Sequence, residues 1–404
     1  PTLAICVERE ERIKEFVSEP YYEVHGTFDV KAGQYPGRWI DPDIKKNDEK
    51  PHARPERIWD RTKAEAIEAA CRGQAGEVSE ETKPSSQSAP ALFDLTSLQR
   101  EANGRFGFSA RATLSLAQAL YERHKVLTYP RTDSRALPED YLPTVNDTMA
   151  MLRDDAGPRM KEIAQVHAGK EDASAAQVVK SFNEFGPYAG QIIQNEWVKP
   201  NKRIFDDKKV SDHFAIIPTL QPPKNLSEAE YKIYDMVVRR FLAVFFPPAK
   251  YQNTTRLTKI LEHLFKTEGK VLVEPGWLAI YGRQNTGDDG TLVAVAAGEK
   301  AQNDSIEIQD LATRPPPRYS EATLLSAMEG AGKLVEEGDL REAMAGKGLG
   351  TPATRAAIIE GLIREAYLVR EGKELIPTTK AFQLLTLLRG LGVTEHPADV
   401  TNDG

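Results

Sequence analysis

Thr128-Tyr129-Pro130-Arg131-Thr132-Asp133-Ser134-Arg135 sets a tyrosine hydroxyl in a stiff turn with two guanidiniums close by in the chain. Pro130 fixes its own φ near about −65° and disfavours helical geometry at Tyr129, so the ring sits on an extended segment with little freedom to lose. Arg131 carries a planar fork of donors matched to phosphate oxygens. A phenol beside such a fork is suited to attack on a phosphodiester, whereas a Tyr-Pro taken alone is more commonly a packed turn tyrosine. Because a phenol keeps its proton at neutral pH, a nucleophilic Tyr129 needs a partner that stabilises the developing charge, and Arg131 is the candidate.

Further blocks accompany this turn in a fixed order. Pro1-Thr2-Leu3-Ala4 runs into Val7-Glu8-Arg9-Glu10-Glu11-Arg12-Ile13; Leu95-Thr96-Ser97-Leu98-Gln99-Arg100-Glu101-Ala102 is followed by Phe106-Gly107-Phe108-Ser109-Ala110. After the tyrosine come Ser211-Asp212-His213-Phe214-Ala215-Ile216-Ile217-Pro218-Thr219, then Pro317-Arg318-Tyr319-Ser320-Glu321-Ala322-Thr323-Leu324 and Gly350-Thr351-Pro352-Ala353-Thr354-Arg355. Together they resemble the type IA DNA topoisomerases, the topoisomerase III branch in particular, from the first residue to about Thr378.

The resemblance implies a multidomain α and β fold, a toroidal clamp. Residues 1–17 would be the first part of a helical base and 18–90 the first part of a β-rich arch. Residues 91–222 would be an inserted, mostly helical domain carrying the tyrosine, 223–310 the second part of the arch, and 311–404 the helical base with a winged-helix-like unit. It implies ATP-independent cleavage and religation of one DNA strand through a 5′-phosphotyrosine at Tyr129, with Arg131 as the second catalytic residue. DNA contacts fall to His213, Thr354, Arg355, Arg100 and Arg135. Phe214 departs from the two-histidine form common in topoisomerase III, so no role is carried over to a second histidine. Magnesium belongs to a preceding domain of the family that this sequence lacks, as it lacks the end of the helical base; alone, the chain is expected to bind a strand without relaxing supercoiled DNA. A clamp that grips single strands without cutting them is the alternative. The expected partners are single-stranded and underwound duplex DNA, with the protein monomeric and cytoplasmic, nucleoid-associated if bacterial.

Composition bounds these expectations. A chain of 404 residues with 40% hydrophobic content is folded and too long for one core. Cys6 and Cys71 form no Cys-x-x-Cys pair, which excludes a zinc ribbon and points to a reducing compartment. No stretch has the length and apolarity of a membrane helix, and the start lacks the pattern of a signal peptide. Net charge of −7 argues against a surface coated for nucleic acid. Between Arg100 and Arg135, however, seven basic residues face three acidic ones, a balance of +4, so a strand would follow a confined basic track or the charges would line an ordinary solvated helix. Lys199, Lys202, Arg203, Lys208 and Lys209, diluted by Asp206 and Asp207, read as a charged loop. Phe106 and Phe108 beside the track are candidates for base stacking or for core packing.

Local patterns place these residues on elements. Ser109 is a plausible N-cap for a helix to about Lys125, and Ser227 with Glu230 has capping-box spacing for a helix ending at Pro247-Pro248. Tyr21–Val30 and Gly269–Tyr281 alternate like strands, and Lys83–Pro90 and Pro218–Asn225 read as polar connectors. Thr354–Glu365 predicts a helix followed by a hairpin over Tyr367–Ile376, a unit that contacts nucleic acid or serves as a packing module. Thr354 is itself either a phosphate donor or a helix cap. Asp41-Pro42-Asp43 and Asp288-Asp289-Gly290 read as turns rather than metal sites. Gly330-Ala331-Gly332-Lys333-Leu334 and Gly346-Lys347-Gly348 lack the spacing and hydroxyl of a P-loop.

Overall fold

The computed structural model describes residues 1–44, 52–153, 173–282, 290–331 and 348–392. In chain order these form α1 (Thr2–Glu15), β1 (Pro20–Val30), β2 (Gly33–Ile40), α2 (Arg61–Cys71), β3 (Ala75–Gln87), α3 (Leu95–Phe106), α4 (Ala110–Glu122), α5 (Leu142–Arg153) and α6 (Ala173–Gln194). They continue with α7 (Glu228–Ala243), β4 (Ala249–Ile260), β5 (His263–Glu274), β6 (Lys300–Ala312), α8 (Glu321–Gly330), α9 (Pro352–Arg364), β7 (Leu368–Glu371), β8 (Glu374–Pro377) and α10 (Thr379–Gly390). The chain divides into two compact units, one of Phe16–Ser88 and Pro248–Pro315, the other of Pro1–Glu15, Ala89–Pro247 and Pro316–Gly404.

The first unit is a closed antiparallel barrel in the order β1-β2-β5-β4-β3-β6, with β6 returning to β1. Alternation along β1 sends Val24 and Phe28 inward, where they meet Tyr35, Trp39, Phe265 and Ile306. The Phe28 ring lies 5.5 Å from that of Tyr35 and 5.4 Å from that of Phe265. Gly26 and Gly37 make room for it, since a Cβ on either would come within 2.9 and 2.8 Å of the ring. Helix α2, capped by Asp60, buries Ala64, Ile67 and Cys71 against the same core.

Three sequence expectations change in and around this unit. The first supposed connector is mostly β3, paired with β4 as far as Gln87↔Ala249. Pro84 is tolerated because β3 pairs with β6 only over Ala75–Glu77, which leaves the later residues a free side where a missing N–H costs nothing. The strand expected to reach Tyr281 stops at Glu274; Gly276 at φ +50 turns the chain into a short 3₁₀ segment, and Trp277 Nε1 donates to Gln87 O at 2.8 Å. Helix α7, expected with the second part of the arch, belongs to the other unit, and strand-forming sequence resumes only at Pro248. Its Ile233, Tyr234, Met236, Val237, Val238, Phe241 and Leu242 are all buried, which requires helical neighbours on several sides.

In the second unit, α1 presents Leu3, Ile5 and Val7 to Leu324, Leu325 and Met328 of α8, Ile359 of α9 and Leu385 of α10. The hairpin β7–β8 turns at Gly372, φ +60, as its position after the helix predicts. The tyrosine-bearing part starts its helices with side-chain caps: Asp94 and Ser97 reciprocally on α3, Ser109 on α4, Ser227 and Glu230 reciprocally on α7. Cys6 and Cys71 are free and buried, and burial pushes their thiols up to about 12 and about 11. The glycine-lysine pairs lie largely, and Asp288 and Asp289 wholly, outside the described residues. Replacing Phe28 by Ala empties the barrel's central position, and urea unfolding should show a loss of about 3–5 kcal/mol; a loss below about 1 kcal/mol would mean that the barrel collapses around the gap.

Candidate active site

Tyr129 is held by its backbone neighbours on both sides. After α4 the chain reverses through Lys125, at φ +58, and buries Val126 and Leu127. Thr128 N donates to Ile217 O, Thr128 Oγ1 donates to Ala215 O and accepts from Ile217 N, each at 3.0 Å. Beyond the tyrosine, Thr132 Oγ1 donates to His213 O at 3.0 Å and Leu95 N donates to Thr132 O at 3.0 Å. Ser134 is buried and donates to Lys209 O at 2.7 Å.

This pairing brings the half-buried Tyr129 ring against His213, with centroids 4.2 Å apart. On its other side Tyr121 stands edge-on at 5.4 Å. Among the described residues the Tyr129 hydroxyl has no hydrogen-bond partner, so no protein group is bonded to it. Arg131 is exposed; its Nε lies 3.5 Å from Gln118 Oε1, at the outer limit of hydrogen bonding, and its fork stays open to solvent. Gln118 also donates to Glu122 at 2.6 Å. Sequence reasoning missed Gln118, Tyr121 and Glu122. Their signal was i, i+3, i+4 spacing on the last turns of the helix that delivers the tyrosine.

The remaining expected residues separate from this centre. Arg135 turns to Asp94 at 2.8 Å and Glu329 at 3.1 Å. Burial works to lower the affinity of Arg135 for its proton, but Asp94 and Glu329 outweigh it and the net shift is upward. Arg100 lies 3.6 Å from the same Glu329. Arg355 is 3% exposed, with Nε donating to Leu349 O at 3.1 Å and Nη1 to Thr96 Oγ1 at 2.8 Å. Burial depresses its affinity for a proton despite nearby Glu329, Asp94 and Asp133. These bonds of Arg355 tie α9 to α3. Thr354 Oγ1 accepts from Thr351 N at 2.9 Å, so its hydroxyl serves the start of α9. Phe214 packs its ring 4.7 Å from Tyr141.

The basic excess between Arg100 and Arg135 shrinks once folded partners are counted. Arg123 pairs with Glu230, Arg135 with Asp94, Arg105 with Glu101 and Arg100 with Glu329, leaving Arg111, Lys125 and Arg131 exposed. Lys202 and Lys209 pair with Glu139 and Asp206, in keeping with a charged loop. Phe106 and Phe108 are half-buried against each other at 5.4 Å. Asp41 accepts from Asp43 N at 3.1 Å inside a turn and faces Lys63 at 3.6 Å. Among the described residues no group of three His, Cys, Asp or Glu is placed to hold a metal. The described residues therefore do not fit the magnesium that the resemblance implies. No described helix is long and apolar enough to cross a membrane.

The family model described as DNA topoisomerase matches residues 1–181 and 167–396, and the chain belongs to that family. Among individual proteins it is similar to DNA topoisomerase 3 of Bacillus licheniformis, 36% identical over 399 residues covering 96% of this chain and 49% of the relative. DNA topoisomerase 3 of Bacillus subtilis is 36% identical over 400 residues, with the same coverage of 96% and 49%. The structure of full-length topoisomerase I from Thermotoga maritima superposes with a TM-score of 0.62 at 20% identity, over 96% of this chain and 54% of that one. The chain thus spans about half the length of the curated relatives it matches. Because Thr354 closes a cap, Thr354→Ala should destabilise the protein by about 1 kcal/mol in urea unfolding. Thr354→Ser should restore that stability, and equal stability of all three proteins would remove the cap from the account.

Proposed function

We propose that this chain carries the nucleophile of a type IA topoisomerase reaction on single-stranded DNA. One observation carries the reading: in a chain of this family, Tyr129 packs against both His213 and Tyr121 with its hydroxyl unbonded among the described residues, and the exposed Arg131 follows two residues on. The phenol gives up its proton as its oxygen attacks a phosphodiester phosphorus, the bond to the 3′ oxygen breaks, and that oxygen takes up one proton and leaves as a hydroxyl, so no net proton is gained or lost. The 5′ end stays esterified to Tyr129. Religation runs the same exchange backwards, and because a phosphodiester is traded for a phosphotyrosine diester, no ATP is needed. Arg131 stabilises charge on the phosphate oxygens as the bond forms, and His213 orients the phenol ring and contacts the strand near the cut.

Strand passage through the open break changes DNA topology, by relaxation or decatenation, on single-stranded and underwound duplex DNA in the cytoplasm. The ring-like clamp expected from the sequence belongs to this same proposal, supported by the structural likeness over 96% of the chain. The test is covalent trapping in the intact protein that carries this chain, using single strands labelled at the 3′ end and peptide mapping of the adduct. The expected adduct sits on Tyr129 and disappears in Tyr129→Phe, while strand binding changes by less than about threefold because phosphate contacts dominate it. An adduct on another tyrosine would falsify the assignment, and tight binding with no adduct would identify a non-cleaving clamp instead.

A further inference from the structure

Apart from the tyrosine, a cavity of about 420 Å³ opens between α3, α8 and the segment Pro90–Phe93, with Arg100, Arg135 and Arg240 in its wall. Its volume lies in the range of small-ligand sites. Arg240 is only 8% exposed and lies over the Phe93 ring at 4.0 Å. It donates to Ala91 O at 2.9 Å and pairs with Glu101, while its buried Nε has no hydrogen-bond partner. Arg135 is anchored from behind by Asp94, whose side chain is 5% exposed. Arg100 makes no hydrogen bond among the described residues; its nearest carboxylate is Glu329, at 3.6 Å.

Glu329 is the unusual member. One carboxylate, a third exposed, is shared by the Arg100 and Arg135 guanidiniums, both about two-fifths exposed. Ion pairs so open to water contribute little and exchange readily. Two cavity-lining forks that share one partly exposed carboxylate have the donor geometry that suits a phosphate. Ser326, on α8 like Glu329, adds a hydroxyl to the wall.

We propose that this cavity is a second strand-binding subsite, in which a backbone phosphate of single-stranded DNA displaces Glu329 from Arg100 and Arg135 while the attached nucleotide occupies the space beside Phe93 and Arg240. The proposal rests on the DNA reading above and adds to the expected contacts Arg100 and Arg135 a shared carboxylate, Glu329, that the strand must displace. Phosphate binding exchanges a contact between α3 and α8 for a contact with the strand, so that gripping DNA also loosens the hold of α8 on the tyrosine-bearing segment.

Glu329→Gln and Arg100→Gln test it through opposite signs. Both side chains are partly exposed, and matched thermal unfolding curves would confirm that the variants fold. With an oligothymidylate followed by fluorescence anisotropy, Glu329→Gln should bind about 3–10-fold more tightly, because a competing anion is gone. Arg100→Gln should bind about 3–10-fold more weakly and flatten the dependence of log affinity on log salt by about 0.7, the loss of one single-strand phosphate contact. Failure of the unmodified chain to bind the oligonucleotide overturns the DNA reading and this subsite together. Binding that neither variant alters overturns the subsite alone. Competition with thymidine monophosphate separates the two sources of phosphate: a Glu329→Gln gain confined to the mononucleotide would mean a free-nucleotide site and overturn the strand assignment. Should Arg100→Gln not fold, the sign of the Glu329→Gln effect still decides.

Discussion

The three hydrogen bonds of Thr128 to Ala215 and Ile217 are the constraint on which the site depends. Tyr129 and His213 stand far apart in the chain, and among the described residues neither is anchored through the polar atoms of its side chain. Their ring contact exists because the two strands of chain are locked in register one residue before the tyrosine. A β-like register fixes side-chain direction with a period of two, so a slip of one residue would turn Tyr129 away from His213. Pro130 reinforces the lock by limiting the chain just after the ring. A nucleophile positioned through its backbone keeps its hydroxyl free of protein partners, which a nucleophile anchored through that hydroxyl would not.

Charge in this molecule is organised by the fold rather than by runs in the sequence. The local excess around Tyr129 is reduced by Asp94, Glu230 and Glu329, all of which lie outside the Arg100–Arg135 stretch. What survives is a small group, Arg111, Lys125 and Arg131, on or just beyond α4. An acidic protein thereby keeps some exposed positive charge near Tyr129, and the net charge of −7 disfavours indiscriminate binding elsewhere. Screening at physiological salt confines each such cluster to roughly a Debye length of about 8 Å, so position outweighs the total.

The legible parts of the sequence were those decided within a few residues. Ser109, Ser227 with Glu230, the Gly372 turn and the alternation of Tyr21–Val30 are local chemistry, and each produced the element it predicts. The tyrosine turn was legible because proline stiffness and guanidinium geometry are also local. Misreadings arose where the decision was tertiary. Pro84 looked like a linker residue until the unpaired side of β3 made it harmless. Helix α7 was recognised as a helix, but its unit is set by which partners bury it, and that is written in no single segment. Tyr121 was hidden because an aromatic on a helix normally signals core, and only the folded turn puts it beside Tyr129.

Thr354 and Arg355 show why a motif's residue types do not by themselves assign chemistry. A threonine and an arginine at a helix start are both capable of holding phosphate, and the sequence allowed both functions. In the fold the threonine hydroxyl is taken up with Thr351, and the arginine is buried between Leu349 and Thr96. Burying a guanidinium is costly unless its donors are met, so Arg355 commits its charge to holding α9 against α3. Arg131 is the opposite case, exposed and poorly bonded, and for a site that must meet a mobile strand that is the useful condition. The difference between the two arginines is desolvation: the one already removed from water is part of the scaffold, and the one still hydrated can exchange its water for phosphate.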